Sequence, residues 1–326
     1  MGWTKEYMPL QNGKTVIVTG ANTGLGYETA LALYEKGADV VVACRDMEKA
    51  EGAIGRMKES GPAGGVDRVK ESGLAGRLDR MKESSGAGTL EPAALDLASL
   101  ASVKRFAELF LKEHDRLDIL VNNAGVMMTP LGKTEEGFEL QFGVNFIGHF
   151  ALTGRLYPLL KRTPGARVVT MSSGAHKWVE TIDFDNLRSE KDYDPVREYG
   201  MSKLADLAFT SELQRRILLA GDDILSLAAH PGITRTDLQR HIDPTLIDKL
   251  YEVVMEPWQG ALPELFAATA ASVEPGGYYG PDGEKELVGY PTRVEIGEGS
   301  KDLKVRARLW ALAEKATGVV FPSEPD

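Results

Sequence analysis

Residues 14–26 read KTVIVTGANTGLG, and the way this stretch divides decides the fold. KTVIVTG is an apolar, β-branched run of the kind that forms a strand buried on both faces. Gly20, Gly24 and Gly26 follow at GxxxGxG spacing, and residues 27–36 carry a helical period that Gly37 ends. Strand, glycine turn and helix in direct succession make the first half of a βαβ unit. Glycines at such a turn let the backbone approach a pyrophosphate, which the free N–H groups and positive end of the helix would hold. A turn without ligand satisfies the same spacing. Its place between an apolar strand and a helix is nevertheless the context that a dinucleotide site requires.

Outward from this unit the pattern repeats. DVVVACR reads as the second strand, LEPAALDL contains the third, LDILVNNAG the fourth, ARVVTMSS the fifth, ILSLAAHPG the sixth and GGYYG a short seventh. Helical segments are predicted at 98–113, 136–161, 199–220, 245–254, 259–271 and 302–317. Short strands alternating with helices, without an interdomain linker, predict one α/β domain over residues 1–326, built on a doubly wound parallel sheet. With 326 residues, 43% apolar and 26% charged, the chain can bury the core this needs.

Residues 55–89 depart from that economy. RMKES, RVKES and RMKES begin at Arg56, Arg68 and Arg80, a period of 12 residues. The repeat, at about 55–88, lies between the second and third strands, where a crossover needs one helix and a short return. We read it as a tandem duplication accommodated at the surface, since loop-closure entropy grows by only about 0.6 kcal/mol per doubling of length. Each unit is too short and too poor in apolar residues for a solenoid, and its basic residues are matched by acidic ones.

Bulk charge excludes some partners. A net charge of −10 argues against a nucleic-acid or anionic-membrane binder. No run approaches the roughly 20 apolar residues of a membrane span, and MGWTKEYMPLQNGK has no apolar signal core. The single cysteine, Cys44, lies in the apolar run VVVAC and is read as packed there, compatible with a reducing compartment. The expectation is a soluble, cytoplasmic protein, for which a homo-oligomer remains open. His114, His149, His176, His230 and His241 show no metal-ligand spacing, so no metal is expected. Ser173 lacks the GxSxG setting of a serine hydrolase.

The second strand ends Cys44-Arg45-Asp46. An acidic residue at this point usually meets the ribose 2′-hydroxyl of NAD, whereas an arginine can pair with the 2′-phosphate of NADP. Arg45 favours NADP(H) over NAD(H). Asp46 could repel that phosphate or cap the next helix.

Tyr199-Gly-Met-Ser-Lys203 spells YxxxK on a predicted helix, so the phenol and the ammonium share one face. A neighbouring cation stabilises phenolate and makes tyrosine a usable acid or base. Ser172 and Ser173 end the fifth strand, at the carboxyl edge where parallel sheets place ligands. With TGANTGLG, Asp96-Leu97, NNAG at 122–125, Asn145, the serine pair, YGMSK and HPGITRT in order, the chain resembles the short-chain dehydrogenase/reductase family, over about 14–238. ACRD, NNAGVMM, NFIGHFALT, SSGAH and SKLA are similar to its retinol-dehydrogenase-like branch, with a weaker likeness through GYYGPDG to the last helix. Many members of that branch carry an N-terminal membrane anchor, which is not expected here.

The resemblance implies a Rossmann-type fold and a division of roles. Tyr199 would donate the proton, Lys203 would hold the nicotinamide ribose and tune the phenol, Ser173 would orient the carbonyl, and Asn145 would support a water relay. Gly20, Asn22, Thr23, Gly24, Leu25 and Gly26 would surround the pyrophosphate and ribose. Asp96 and Leu97 would lie near the adenine, Asn123, Ala124 and Gly125 along the cofactor, and Pro231, Gly232 and Thr236 at its nicotinamide end. On their own, Asp96 reads equally as a strand-end cap, and Asn122 and Asn123 as turn closers.

Twenty-five residues separate Ser173 from Tyr199, with Trp178, Phe184 and Tyr193 among them. Residues 237–258 carry Leu238, Ile242, Leu246, Ile247, Leu250, Tyr251, Val254 and Trp258, which suit either a lid over an apolar site or a core-packing helix. The expected activity is NADP(H)-dependent interconversion of a carbonyl and an alcohol, on a small to medium, partly apolar substrate. A rival reading is a sensor that binds NADP(H) without turnover, which has no need for a complete Ser, Tyr, Lys and Asn set.

Overall fold

The computed structural model describes residues 2–60, 86–243, 245 and 253–322. Its centre is an eight-stranded sheet in the order β3-β2-β1-β4-β5-β6-β7-β8. The chain runs β1 (Thr15–Thr19), α1 (Gly24–Glu35), β2 (Asp39–Cys44), α2 (Met47–Ser60), β3 (Leu90–Ala94), α3 (Leu100–Glu113) and β4 (Ile119–Asn122). All neighbours from β3 to β7 pair parallel, and all five residues of β1 are buried, as the run KTVIVTG requires. Strand order reverses between β1 and β4, which opens a crevice at their carboxyl ends.

After β4 comes α4. It starts with an α-turn at Leu140–Phe142, widens to a π-helical stretch at Gly143–Gly148 and continues α-helical over His149–Arg162. Then follow β5 (Ala166–Met171), α5 (Pro195–Ala220), β6 (Ile224–Ala229), α6 (Leu262–Thr269), β7 (Tyr278–Pro281), β8 (Pro291–Arg293) and α7 (Leu303–Thr317). The last strand, absent from the sequence expectation, pairs antiparallel with β7. Helix α5 begins four residues before Tyr199: Asp194 caps it, accepting hydrogen bonds from the N–H groups of Val196 and Arg197, and Pro195 takes the first turn. Tyr199 therefore stands in the second turn, where backbone hydrogen bonding is complete.

One aromatic cluster holds the site helices together. Phe146 and Phe150 of α4 meet Phe209 of α5, and Phe150 and Phe209 meet Trp310 of α7, with ring centroids 5.0–6.1 Å apart. The i, i+4 spacing of Phe146 and Phe150 aims one face of α4 at the core and leaves Asn145 beside the crevice.

The first RMKES unit belongs to α2, where Met57 is fully buried. The later units, with Arg68 and Arg80, lie outside the described residues. So does most of the helix expected at 245–254, including Leu246, Ile247, Leu250 and Tyr251 of the suggested lid.

Candidate active site

The glycine turn is built against the segment that follows β4. Gly20 (φ +68°) and Gly24 (φ +56°) lie in the left-handed region that glycine tolerates. A Cβ on Gly26 would strike the Asn123 side chain and the Gly20 carbonyl, and one on Gly20 would come within 3.0 Å of Ala124. Asn123 Nδ2 donates to Thr19 O (2.7 Å), while the N–H groups of Asn123 and Ala124 donate to Thr19 Oγ1 (3.0 and 2.9 Å). Thr23 Oγ1 donates to Asp237 (2.9 Å), and Gly24 faces Thr236 at van der Waals distance. Leu25 packs beside Gly260.

At the end of β2, Arg45 is exposed, with no ion pair among the described residues. Asp46 is committed elsewhere: its Oδ1 accepts from Lys49 N (3.2 Å) and its Oδ2 faces Lys49 Nζ (3.6 Å), so it caps α2. Arg56, which the sequence reading passed over as part of the repeat, reaches back to the turn. Its guanidinium lies over the Tyr27 ring (5.4 Å) and donates to Asn22 O (3.3 Å). Asp96 closes its own turn by accepting from Ala98 N (2.9 Å), and buried Leu97 packs on Gly148.

Tyr199, Lys203, Ser173 and Asn145 converge where β4 and β5 end. The Tyr199 side chain is 3% exposed. Burial pushes its hydroxyl above the usual tyrosine range, while the Lys203 charge and a hydrogen bond with Ser173 act in the opposite direction. Lys203 Nζ lies 5.9 Å from the Tyr199 ring centroid and donates to Met171 O (2.8 Å) and to Asp206 Oδ2 (2.9 Å). Ser172 turns inward, its hydroxyl donating to Lys203 O (2.9 Å), whereas Ser173 Oγ accepts from Ala175 N (3.2 Å) at the turn after β5.

Asn145 sits in the π-helical stretch, a backbone feature often found at functional sites. Its Nδ2 donates to Val126 O (3.0 Å) and Ser202 Oγ (2.9 Å), and its Oδ1 accepts from Val126 N (2.9 Å). The carboxamide thereby ties the NNAG segment to α5. A Cβ on Gly125 would approach Asn145 Oδ1 at 3.3 Å and Lys203 Nζ at 3.9 Å, so only glycine leaves this contact open.

His149, which shows no metal-ligand spacing in the sequence, is a support of the site. Its Nδ1 donates to Asn145 O (2.8 Å) and its Nε2 contacts Thr19 Oγ1 (3.0 Å). Burial lowers its pKa to about 4, so the ring is neutral at pH 7. His149 lies within NFIGHFALT, but nothing in that stretch marks its role, because one of its partners comes from β1.

Beyond β6, Pro231 O accepts from Thr234 Oγ1 (2.8 Å), and Gly232 (φ +60°) has no room for a Cβ beside Leu287 O. Met127, Ala175 and Tyr199 form a small apolar cluster, with Met128, Leu238 and Ile242 packed against it. Trp178 stands at its rim, half exposed, 6.4 Å from the Tyr199 ring. Phe184 is directed elsewhere, to Arg308 of α7, and Tyr193 hydrogen-bonds Thr129 O (2.5 Å). Of the three loop aromatics, only Trp178 is beside the phenol.

The glycine cradle, the close approach at Gly125 and the lysine beside the phenol together suit a nicotinamide dinucleotide laid across the switch point. The model of the short chain dehydrogenases matches residues 14–67 and 65–246, and the chain belongs to that family. Retinol dehydrogenase 14 of Mus musculus is 40% identical over 323 residues, covering 95% of this chain and 88% of that protein. Retinol dehydrogenase 13 of Homo sapiens is 38% identical over 322 residues, covering 95% and 86%. A crystal structure of an uncharacterized protein from Mycobacterium paratuberculosis is 36% identical with a TM-score of 0.77, covering 99% of this chain and 100% of that one. The RhlG/NADP active-site complex of Pseudomonas aeruginosa, 24% identical with a TM-score of 0.60 over 82% and 94%, shares the fold. This chain is an NAD(P)-dependent oxidoreductase that interconverts carbonyl and alcohol groups. Among the described residues no helix is long and apolar enough to cross a membrane.

Proposed function

We propose that the chain is an NADP(H)-dependent carbonyl reductase and alcohol dehydrogenase in which Tyr199 is the proton donor and acceptor. The observation that carries this reading is the buried Lys203 ammonium beside the buried Tyr199 phenol, its Nζ 5.9 Å from the ring centroid. The bound cofactor supplies or accepts the hydride. In the reductive direction Ser173 and Tyr199 hold the carbonyl oxygen by two hydrogen bonds, and Tyr199 passes its proton to that oxygen as alkoxide character develops. Lys203 favours the resulting phenolate and would hold the nicotinamide ribose. Asn145 keeps Gly125 and Ser202 in register, and the remaining lone pair of its Oδ1 is the point at which a relayed water would bind.

The preference for NADP(H) rests on Arg45, with Arg56 close to the same turn and Asp46 turned away into its cap. Gly20, Asn22, Thr23, Gly24, Leu25 and Gly26 would cradle the pyrophosphate and ribose, Asp96 and Leu97 the adenine, and Asn123 to Gly125 the length of the cofactor. Pro231, Gly232 and Thr236 would meet its nicotinamide end. Met127, Met128, Leu238, Ile242 and Trp178 suit a partly apolar aldehyde, ketone or alcohol, and the names of the retinol dehydrogenases place retinoids in the first panel to try. A reducing cytoplasm fits Cys44, the single cysteine, which is buried with a thiol that burial pushes up.

Turnover of NADPH against aliphatic, aromatic and retinoid aldehydes and ketones tests the reading. Tyr199→Phe should lower kcat by about 10²–10⁴-fold, the range for general acid–base catalysis, and leave NADPH affinity within about twofold. A variant as fast as the parent would remove Tyr199 from the reaction.

A further inference from the structure

The Tyr199–Lys203 pair has a third member that its motif does not contain. Asp206 lies one helical turn beyond Lys203 and two beyond Tyr199, on the same face of α5. Its carboxyl is 1% exposed, and Oδ2 accepts from Lys203 Nζ at 2.9 Å. Oδ1 is buried with no hydrogen-bond partner. Lys203 is thus the one group that meets this carboxylate's charge among the described residues.

Stability does not account for such a pair. Desolvating two charges commonly cancels their attraction, and an unpartnered carboxylate oxygen adds a further cost. A neutral side chain in the run Leu-Ala-Asp-Leu-Ala would satisfy the packing. What the carboxylate does supply is charge, one helical turn beyond Lys203 and two beyond the phenol.

We propose that Asp206 is a positioning residue for the Tyr199–Lys203 pair: its carboxylate anchors the ammonium, keeps it charged, and limits how strongly it favours the Tyr199 phenolate. This rests on the reading of Tyr199 as proton donor. Burial is the largest influence and opposes the Lys203 charge, but Asp206, Tyr199 and Glu264 together outweigh it and hold the ammonium above the usual lysine range. Burial raises the Asp206 carboxyl above the usual carboxylate range, against the pull of Lys203. Among the described residues, three other titratable groups act on the pair. His149 from α4 is neutral, its pKa lowered to about 4 by burial. Tyr278 from β7 is pushed up by burial, with Glu286 beyond it, and stays neutral. Glu264 from α6 is raised by burial to about 7 and hydrogen-bonds Thr29 rather than Lys203.

Two measurements test this. In the cofactor-free protein, the Tyr199 phenolate is followed by near-ultraviolet absorbance, as the difference between each protein and its Tyr199→Phe derivative. Asp206→Asn should move that titration to lower pH, since a repelling charge is gone. In alcohol oxidation with NADP⁺, both limbs of the kcat/KM bell should move down by about one pH unit. The acid limb follows Tyr199, and the alkaline limb follows Lys203 deprived of its counter-ion. Asp206→Ser should act alike if the asparagine variant does not fold, and Asp206→Glu should restore the parent profile. A bell of lower height at an unchanged position, with an unmoved phenolate titration, would overturn the proposal and leave Asp206 a packing residue. Absence of Tyr199-dependent turnover in the parent would instead overturn the catalytic reading, and the optical titration would still decide the role of Asp206.

Discussion

Arg45 illustrates what a single residue can disclose. Its position is fixed by the strand pattern, because the last paired residue of β2 is Cys44 and Arg45 follows it at the carboxyl end of the strand. Arg45→Ala should weaken NADPH binding by about 1.5–3 kcal/mol, the scale of a hydrogen bond to a charged group, and leave NADH binding nearly unchanged. Equal losses for both cofactors, measured by fluorescence titration, would remove Arg45 from 2′-phosphate recognition. Asp46 was ambiguous in the sequence because a carboxylate can repel a phosphate or cap a helix, and only the position of Lys49 separates the two. Tyr199, Lys203 and the serine pair were legible since their spacing on one helix and one strand end is itself the signal. Asp206 and His149 were not. Asp206 stands at i+3 from Lys203, a spacing that marks a shared face but not a buried ion pair, and the partner of His149, Thr19, comes from β1, far away in the sequence.

The elements carry the next part of the argument. β1, α1 and the glycine turn could be read directly, because a buried strand, a positive-φ glycine and a helix start each leave a local mark. The start of α5 had a mark that the reading passed over, the Asp194-Pro195 pair that caps and opens a helix. The π-helical stretch had none: it follows from packing α4 against the sheet while Asn145 reaches Val126 and Ser202. Gly148 closes that stretch under the Asp96-Leu97 turn, and a Cβ there would meet Leu97 O at 2.6 Å and Leu97 Cβ at 2.9 Å. Gly148→Ala should therefore lower stability by about 1–3 kcal/mol through overpacking. If Leu97 supports the adenine, the same change raises the Kd for NADPH while kcat at saturating cofactor holds. Thermal unfolding and cofactor titration check the two effects separately, and an unaltered Kd would detach Leu97 from the cofactor.

For the whole molecule the open question is the repeat. The family match breaks into 14–67 and 65–246, two pieces that meet inside it, as a duplication within one crossover would produce. Because the units are in register, deleting residues 56–79 leaves Gly55 followed by Arg80-Met81-Lys82-Glu83-Ser84, the same five residue types that now end α2. Met81 would take the buried place of Met57, and Arg80 would take that of Arg56 beside Asn22. Five residues, 85–89, would then lead to β3, within the usual range for a helix-to-strand connection. Loop closure alone favours the shortened chain by about 1–2 kcal/mol. The deletion should thus unfold at the same temperature or higher and bind NADPH with unchanged affinity. In the parent, Arg56→Ala should weaken NADPH, since it removes the cation that the deletion restores. A deletion variant that folds but loses NADPH would show that the second and third units, rather than the arginine of the first, serve the cofactor. One that fails to fold would show that the added units have become part of the domain.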